Sequence, residues 1–158
     1  MATRITPFLW FDGQAEDAAK FYTSIFPNSK IGATTRYGEE GPGPKGSVMT
    51  VDFELDGHPF TALNGGPQFT FTEAVSFVVH CRTQQEVDTY WEKLSAGGRQ
   101  VQCGWLKDRF GLSWQVVPTI LLELIQDKDA ARVRRVMQAM MQMVKLDIQK
   151  LKEAAGQR

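Results

Sequence analysis

The sequence has no excess charge of either sign and no long apolar run. Lysine plus arginine equals aspartate plus glutamate, at 18 each, so net charge does not draw the chain towards nucleic acid or an anionic membrane surface. No segment approaches the roughly 18 consecutive apolar residues of a membrane span. These two absences argue against a nucleic-acid-binding protein and against a membrane protein.

Cysteine is scarce, and no targeting segment is evident. The stretch from Met1 to Phe11 lacks the basic, apolar and small-residue pattern of a signal peptide, so the expected compartment is the cytoplasm. The two cysteines, Cys81 and Cys103, are able to pair in principle. A reducing compartment favours two free, largely buried thiols instead.

The first part of the chain predicts the order strand, helix, strand, strand, strand. The evidence is an apolar stretch, then helical spacing of apolar residues, then segments of strand character around an Asp56-Gly57 hairpin turn. The corresponding segments are Ile5 to Phe11, Ala15 to Phe26, Lys30 to Tyr37, Val51 to Leu55 and Pro59 to Asn64. The stretch "GEEGPGPKG", Gly38 to Gly46, is too rich in glycine and proline for regular structure, and we expect a mobile loop there.

The second part repeats this order. Thr83 and Glu86 form a capping box at the start of the second helix, and Gly97-Gly98 ends that helix. The predicted strands are Ala74 to Cys81, Arg99 to Trp105 and Phe110 to Val117.

The two parts align at one offset of 69 residues, the distance from Tyr22 to Trp91 (91 minus 22). Five apolar pairs meet at this offset: Phe8 with Phe77, Ala18 with Val87, Phe21 with Tyr90, Tyr22 with Trp91, and Ile25 with Leu94. Asn64 and Gln115 each stand three residues before a proline. The chain is therefore predicted to be a duplicated module with two sheets.

A third segment follows Pro118. An apolar stripe at helical spacing predicts one long helix over about 128–155 that needs a partner surface, either the parent sheet or a second subunit. The stripe consists of Val133, Met137, Met140, Val144, Ile148 and Leu151.

The sequence resembles the vicinal oxygen chelate (VOC) superfamily, the glyoxalase and bleomycin-resistance fold, and within it the PhnB-like branch often labelled 3-demethylubiquinone-9 3-methyltransferase-like. Four segments carry the resemblance: Ile5 to Ile31, Ser76 to Gly98, Cys103 to Pro118 and Val136 to Ile148. It implies a single α+β domain over 1–158, built from tandem βαβββ modules at about 1–67 and 68–120 and the C-terminal helix. It also implies a homodimer.

In metal-dependent members of that superfamily, His, Glu or Gln ligands stand on the first and last strands of each module. The corresponding positions here are Pro7, Ser76, Asn64 and Gln115. Proline and serine side chains are poor ligands, and neutral amides bind divalent ions far more weakly than carboxylate or imidazole. We therefore predict no metal site and no cofactor, with a divalent metal as the alternative.

Strand parity suggests which residues line the groove that the resemblance implies between the sheets. Ser76 and His80 share one face of the fifth strand, and Ser113 and Gln115 share one face of the last. With Asn64 they are the predicted ligand-binding residues. His80 is also the candidate general base, although a hydrogen-bonded wall residue fits the pattern as well. His58 is expected in a solvent-facing turn.

Other reactive or aromatic residues receive structural interpretations. Cys103 is expected to be a buried spectator in mid-strand. Asp108 and Arg109 are expected to be solvated turn residues, and the alternatives are that they pair, anchor the turn or contact a ligand. Trp114 is expected in the core, whereas Trp10 and Trp105 fit either core or groove wall.

The predicted function is small-molecule binding, with or without catalysis, and the loop Gly38 to Gly46 is a candidate lid. The alternatives are a metal-dependent lyase, isomerase or dioxygenase of the glyoxalase type, and an interaction module with a vestigial groove. Methyl transfer from S-adenosylmethionine is disfavoured. It would require a parallel sheet and a Gly-rich turn, and "FDGQAED" holds a single glycine.

Overall fold

The computed structural model describes residues 3–156. Contacts divide the chain into two compact units, the first ending at Phe71 and the second beginning at Thr72. The predicted domain also includes residues 1, 2, 157 and 158, which lie outside the described residues. Each unit contains one four-stranded mixed sheet with helices, which confirms the α+β class and the glyoxalase-type fold.

The first unit follows the predicted order of elements. They are β1 (Phe8–Phe11), α1 (Ala15–Ile25), β2 (Lys30–Arg36), β3 (Val48–Leu55) and β4 (His58–Asn64). The sheet order is β1-β4-β3-β2, with β1 parallel to β4 and the other pairs antiparallel. Asp56 and Gly57 both have positive φ, 48° and 78°, as the predicted two-residue hairpin turn requires.

One face of this sheet packs on α1. Tyr22 from the helix stacks on Phe53, and Phe53 stacks on Phe60, with ring centroids 6.1 Å and 5.4 Å apart. Alternation along the strands sends Trp10, Asp52 and Thr61 to the opposite side. We call the side of each sheet that lacks the unit's own helix the helix-free face.

The second unit repeats the pattern with shorter outer strands. Its elements are β5 (Ser76–Cys81), α2 (Gln84–Ser95), β6 (Arg99–Gln100), β7 (Trp105–Lys107) and β8 (Ser113–Pro118), in the sheet order β5-β8-β7-β6. The predicted capping box is present. The Thr83 hydroxyl accepts the amide of Glu86 at 3.2 Å, and the Glu86 carboxylate accepts the amide of Arg82 at 2.6 Å.

The prediction that Cys103 lies in mid-strand is wrong. The chain leaves the sheet after β6, and Cys103 occupies a turn with φ 59°, followed by Gly104 with φ 80°. The Cys103 thiol is half-buried rather than buried. The turn exists because the amides of Cys103 and Gly104 donate to the carbonyls of Met143 and Val144, at 2.9 Å and 2.8 Å.

The same contacts interrupt the predicted C-terminal helix. After α3 (Thr119–Ile125), the helical segment is divided into α4 (Ala130–Met141) and α5 (Ile148–Ala154). The Gln84 side chain donates to the carbonyl of Leu146 at 3.1 Å and accepts the amide of Ile148 at 2.8 Å. These backbone groups therefore bond to the body of the second unit instead of continuing the helix.

The interruption changes which apolar residues are buried. A cluster joins the end of β8 to the three helices: Val117, Leu121, Leu124, Val136, Met143, Leu146, Leu151 and Ala155. Of the predicted stripe, Leu151 is in this cluster and Met140 packs against it, whereas Val144 is 40% exposed. Within residues 3–156, no helix combines the length and the apolar character that crossing a membrane requires.

Candidate functional site

The two modules are related by one offset in their helices and another in their strands. Tyr22 and Trp91 hold equivalent buried places at the predicted offset of 69 (91 minus 22). Phe11 and Cys81, the buried last residues of β1 and β5, are one residue further apart. The cause is the connection from strand to helix, which is one residue shorter in the second module.

A shift of one residue moves every side chain of a strand to the other face of its sheet. Phe8, the predicted equivalent of Phe77, is 59% exposed on the helix-free face, whereas Phe77 packs against Trp114 with ring centroids 5.6 Å apart. The predicted equivalence of Pro7 and Ser76 is therefore wrong. In register, the counterpart of Ser76 is Thr6.

Asn64 is likewise not the counterpart of Gln115. Because β1 pairs Phe8 with Thr61 and β5 pairs Val78 with Gln115, Thr61 holds the equivalent place in the first unit. The Asn64 carboxamide lies on the helix side, where its oxygen accepts the amide of Ala15 at 2.9 Å and its nitrogen donates to the carbonyl of Val48 at 3.1 Å. It connects the first turn of α1 to β3.

The other four predicted site residues lie together in the second unit. Residues Ser76, Val78 and His80 of β5 pair with Ser113, Gln115 and Val117 of β8, and parallel partners share a face. Val79 and Cys81 are buried on the opposite side, as parity predicts. The carboxamide nitrogen of Gln115 donates to the Ser76 hydroxyl at 2.9 Å.

His80 is exposed at one end of this helix-free face, next to Val78, which is 42% exposed. Its strand partner is Val117. The imidazole makes no hydrogen bond or ion pair with any residue from 3 to 156, so it is available to a ligand. No structural bond accounts for its place on the face.

The helix-free face also contains Trp105 and Lys107, which we did not assign to the site from sequence. The β7–β8 register pairs Trp105 with Gln115 and Lys107 with Ser113, so both residues share the face that holds Gln115 and Ser113. Extending strand parity across the hairpin would have found both residues. The Lys107 ammonium lies 2.7 Å from the Glu73 carboxylate.

Asp108 is buried rather than solvated, and it anchors the turn, which was one of the alternatives that the sequence left open. The residue is 3% exposed, and one carboxylate oxygen accepts the amides of Phe110 at 2.8 Å and Leu112 at 3.1 Å. The other oxygen accepts the indole N–H of Trp114 at 2.9 Å. Asp108 therefore connects the hairpin between β7 and β8 to the core.

In the first unit, Trp10 lies on the helix-free face. Its indole N–H donates to the carbonyl of Gly66 at 2.9 Å, and Phe69 packs edge-on at 4.9 Å. The candidate lid, Gly38 to Gly46, folds onto the buried ring of Tyr37, whose hydroxyl donates to the carbonyl of Asn64. The lid role itself stays a prediction.

An open pocket of about 280 Å³ also lies on the helix-free face of the first sheet, apart from the predicted residues. The Lys30 ammonium lies 3.5 Å from the Glu54 carboxylate, and the Thr61 hydroxyl donates to Asp52 at 2.7 Å. The pocket is lined by Thr6, Lys30, Gly32, Asp52, Phe53, Glu54, Pro59, Phe60 and Thr61.

The donor set at the superfamily's metal positions does not fit a divalent ion. Gln115 and Ser76 present a neutral amide and a hydroxyl that bond to each other, and both are weak ligands. Across residues 3–156, no three His, Cys, Asp or Glu side chains are grouped closely enough to hold an ion.

Neither cysteine belongs to this face. Burial raises the pKa of the Cys81 thiol to about 12, and the charge of Glu86 adds to the effect. A thiol with that pKa is protonated at neutral pH and is not a nucleophile.

The chain is similar to proteins of one described family. Residues 3–117 match the model of a protein family described as 3-demethylubiquinone-9 3-methyltransferase. No protein of curated function matches the chain.

Solved structures share the fold. A PhnB protein from Bacillus cereus, provisionally described as a 3-demethylubiquinone-9 3-methyltransferase, is 40% identical, with a TM-score of 0.68 over 74% of this chain and 100% of its own. Protein PA1353 from Pseudomonas aeruginosa is 20% identical, with a TM-score of 0.61 over 74% and 98%. The fosfomycin resistance protein FosX from Listeria monocytogenes is 15% identical, with a TM-score of 0.55 over 80% and 99%.

Proposed function

Since this chain belongs to the family described as 3-demethylubiquinone-9 3-methyltransferase, the PhnB-like branch of the VOC fold, we propose that it binds a small molecule without a standard metal site. The ligand contacts the helix-free face of the second sheet. Ser76, His80, Ser113 and Gln115 supply its polar contacts, and Trp105 supplies an aromatic wall. Asn64, the fifth predicted residue, lies on the helix side of the first sheet, where its carboxamide bonds to Ala15 and Val48, and it is not part of this face.

The observation that carries this proposal is the composition of that face. An exposed imidazole, a half-buried carboxamide and a half-buried indole lie on neighbouring strands. Ligand sites combine apolar and aromatic walls with a few polar groups that fix orientation. The Gln115 carboxamide oxygen accepts no bond within residues 3–156, so it is available as a ligand acceptor.

Methyl transfer is not part of the proposal, although the family description names it. A Rossmann-type methyltransferase brings its cofactor against a Gly-rich turn at the edge of a parallel sheet. Here β1 connects to α1 through Asp12, Gly13 and Gln14, and three of the four strands in each sheet run in antiparallel pairs.

We also propose that the protein is a cytoplasmic homodimer arranged as one domain of two modules. Cys81 and Cys103 are free thiols, as is usual in a reducing compartment. Met141, at 62% exposed, and Val144 offer an adaptable apolar surface at the end of α4. Light scattering at micromolar concentration tests the oligomeric state, and a monomeric mass would contradict the homodimer.

Native mass spectrometry of the purified full-length protein tests the ligand site. We expect the protein to carry a bound small molecule. His80→Ala and Gln115→Ala should each lower the affinity for that molecule by about tenfold, the effect of losing one good polar contact. His58→Ala removes an exposed imidazole at the start of β4 and is the matched control. A wild-type mass equal to the bare chain contradicts the proposal.

Metal analysis of the same sample separates the proposal from the glyoxalase-type alternative. We expect less than stoichiometric zinc, nickel, iron or manganese. One equivalent of any of these, lost in Gln115→Ala, would favour the metal-dependent enzyme.

A further inference from the structure

Two cations and a hydroxyl lie on three neighbouring strands at one end of the helix-free face of the second sheet. Arg99 on β6 pairs with Lys107 on β7, and Lys107 pairs with Ser113 on β8. Directly opposed residues of an antiparallel pair have Cβ atoms about 4.5–5.5 Å apart. A guanidinium, an ammonium and a hydroxyl are therefore side by side, and Ser76 adjoins Ser113 on the other side.

The Ser113 hydroxyl lacks a partner. The residue is 1% exposed, and its oxygen makes no hydrogen bond with any of residues 3–156. A buried hydroxyl without a hydrogen-bond partner destabilises the folded state, so such groups are rare without a reason. A ligand oxygen bound beside Lys107 would accept the bond that Ser113 is able to donate.

The hairpin holds these groups in fixed positions. Asp108, which directly follows Lys107, bonds to two amides of the turn and to the Trp114 indole. The end of β7 and the start of β8 are therefore tied to the core. Side chains on such a rigid element are preorganised for a ligand.

An internal carboxylate already occupies the neighbourhood of the two cations. Glu73, in the turn before β5, places its carboxylate 2.7 Å from the Lys107 ammonium, and its side chain is 58% exposed. The hydrogen bond from Lys107 is the main cause that lowers the pKa of Glu73, and the charges of Lys107 and Arg99 contribute. An exposed ion pair of this kind contributes little to stability, so a competing anion is able to displace the Glu73 carboxylate.

We propose that Lys107, Arg99 and Ser113 form an oxyanion subsite for a carboxylate or phosphate-type group of the ligand. In the absence of that ligand, the Glu73 carboxylate fills part of the subsite, and it leaves when the anion binds. The inference rests on the proposed function, because Ser113 belongs to both. It adds that the ligand is an anion and that Glu73 competes with it.

Calorimetric titration of the full-length protein with inorganic phosphate, and separately with acetate at the same ionic strength, tests the subsite. We expect Glu73→Gln to tighten binding of the preferred anion about three- to fivefold, the equivalent of one exposed ion pair. Lys107→Met should weaken it at least tenfold, and Ser113→Ala several-fold. Preference for phosphate over acetate identifies the class of acid group.

The matched controls lie on α2, away from this face. Glu92→Gln and Lys93→Met remove an exposed carboxylate and an exposed ammonium, and both should leave anion affinity unchanged. If neither anion binds the wild type or Glu73→Gln, the subsite is overturned. Equal affinity in Lys107→Met and Lys93→Met also overturns it, since binding would then follow net charge alone.

The two proposals fail in different ways. If native mass spectrometry finds a neutral bound molecule whose retention depends on Gln115 but not on Lys107, the anion subsite is wrong and the ligand site stands. If phosphate binding depends on Lys107 and Glu73 while His80→Ala and Gln115→Ala change nothing, the subsite stands without the wider ligand site.

Discussion

At the scale of single residues, Asp108 shows how much structure one carboxylate is able to organise. The carboxylate is shielded from water and accepts hydrogen bonds from three N–H groups instead. Two belong to the backbone of its own turn and one to the Trp114 indole. Its neighbour Arg109 is exposed. The adjacent acid and base of this turn therefore have opposite environments, which the letters "DR" do not reveal.

Replacing Asp108 should be costly. We expect Asp108→Ala to lower the free energy of unfolding by about 2–4 kcal/mol, because it leaves buried donors without an acceptor. Asp108→Asn should cost less, since one oxygen remains to accept the amides of the turn. Urea unfolding measures both variants.

The control for Asp108 is Asp12→Ala, which removes an exposed aspartate from another turn and should change stability by less than about 0.5 kcal/mol. An equal loss in Asp108→Ala and Asp12→Ala would show that the three hydrogen bonds contribute nothing net.

At the scale of elements, the candidate lid is a packed loop. A β-carbon added to Gly41 or Gly43 would overlap the ring of Tyr37, so both glycines are required by close approach. Tyr37 also bonds to the loop through its backbone, donating to Ser47 at 2.9 Å and accepting from Gly46 at 2.8 Å. Composition predicted an irregular segment, but the tyrosine that orders it was not apparent.

Two glycine substitutions separate packing from flexibility in this loop. Gly43→Ala should destabilise the protein by about 1–3 kcal/mol, the usual cost of overpacking, and should raise hydrogen exchange at the Gly46 amide. Gly38→Ala meets open space and should stay within about 0.5 kcal/mol of the wild type. Equal effects at the two positions would contradict a packing role for Gly43.

The interruption between α4 and α5 is likewise caused by contacts with residues that are distant along the chain. Gln84 bonds to the carbonyl of Leu146 and the amide of Ile148, and also donates to Asp88 at 3.0 Å. Asp147 then accepts the amide of Lys150 at 3.0 Å and begins α5. No glycine or proline marks this site in the sequence.

Removal of the Gln84 side chain should therefore loosen the C-terminal segment. We expect Gln84→Ala to cost about 1–3 kcal/mol and to raise hydrogen exchange at the Ile148 amide. Lys145→Ala breaks only the exposed 2.7 Å pair with Asp88 and should cost less than about 1 kcal/mol. If α4 and α5 fused into one helix in Gln84→Ala without loss of stability, the contacts of Gln84 would not be the cause of the interruption.

At the scale of the whole molecule, stability should depend on two surface carboxylates. Hydrogen bonds from Lys107 to Glu73, and from Lys145 and then Gln84 to Asp88, are the leading causes that lower their pKa values below the ordinary 4.5 and 3.8. A carboxyl with a lowered folded-state pKa stabilises the fold above its unfolded pKa. That contribution is lost as pH falls through the folded value.

We therefore expect the free energy of unfolding to fall as the pH drops below about 4.5, and to fall less steeply in the double variant Glu73→Gln, Asp88→Asn. Both groups are exposed, so added salt should reduce the difference. Urea unfolding between pH 3 and 7, at low and high salt, measures the effect. Identical profiles for wild type and variant would contradict it.

The repeated order of elements was visible in the sequence. Buried residues recur every three or four positions in a helix and every second position in a strand, so the two kinds of element are distinguishable. Element order, the hairpin at Asp56-Gly57 and the capping box at Thr83 all followed from local patterns. The alignment of the strands did not, since one residue fewer between Cys81 and α2 shifts the strand register. The single offset taken from the helices therefore placed Pro7 opposite Ser76, and the shared spacing to a proline placed Asn64 opposite Gln115.

The sequence by itself determined what depends on neighbours along the chain: the elements, their amphipathic sides, and the face that Ser76, His80, Ser113 and Gln115 share. Only the tertiary structure decided what depends on neighbours across space. It buried Asp108, placed Lys107 between Arg99 and Ser113, attached Asn64 to α1 and divided the C-terminal helix. The physical reason is that backbone donors and acceptors must be satisfied somewhere, and sequence spacing does not identify partners that are distant along the chain.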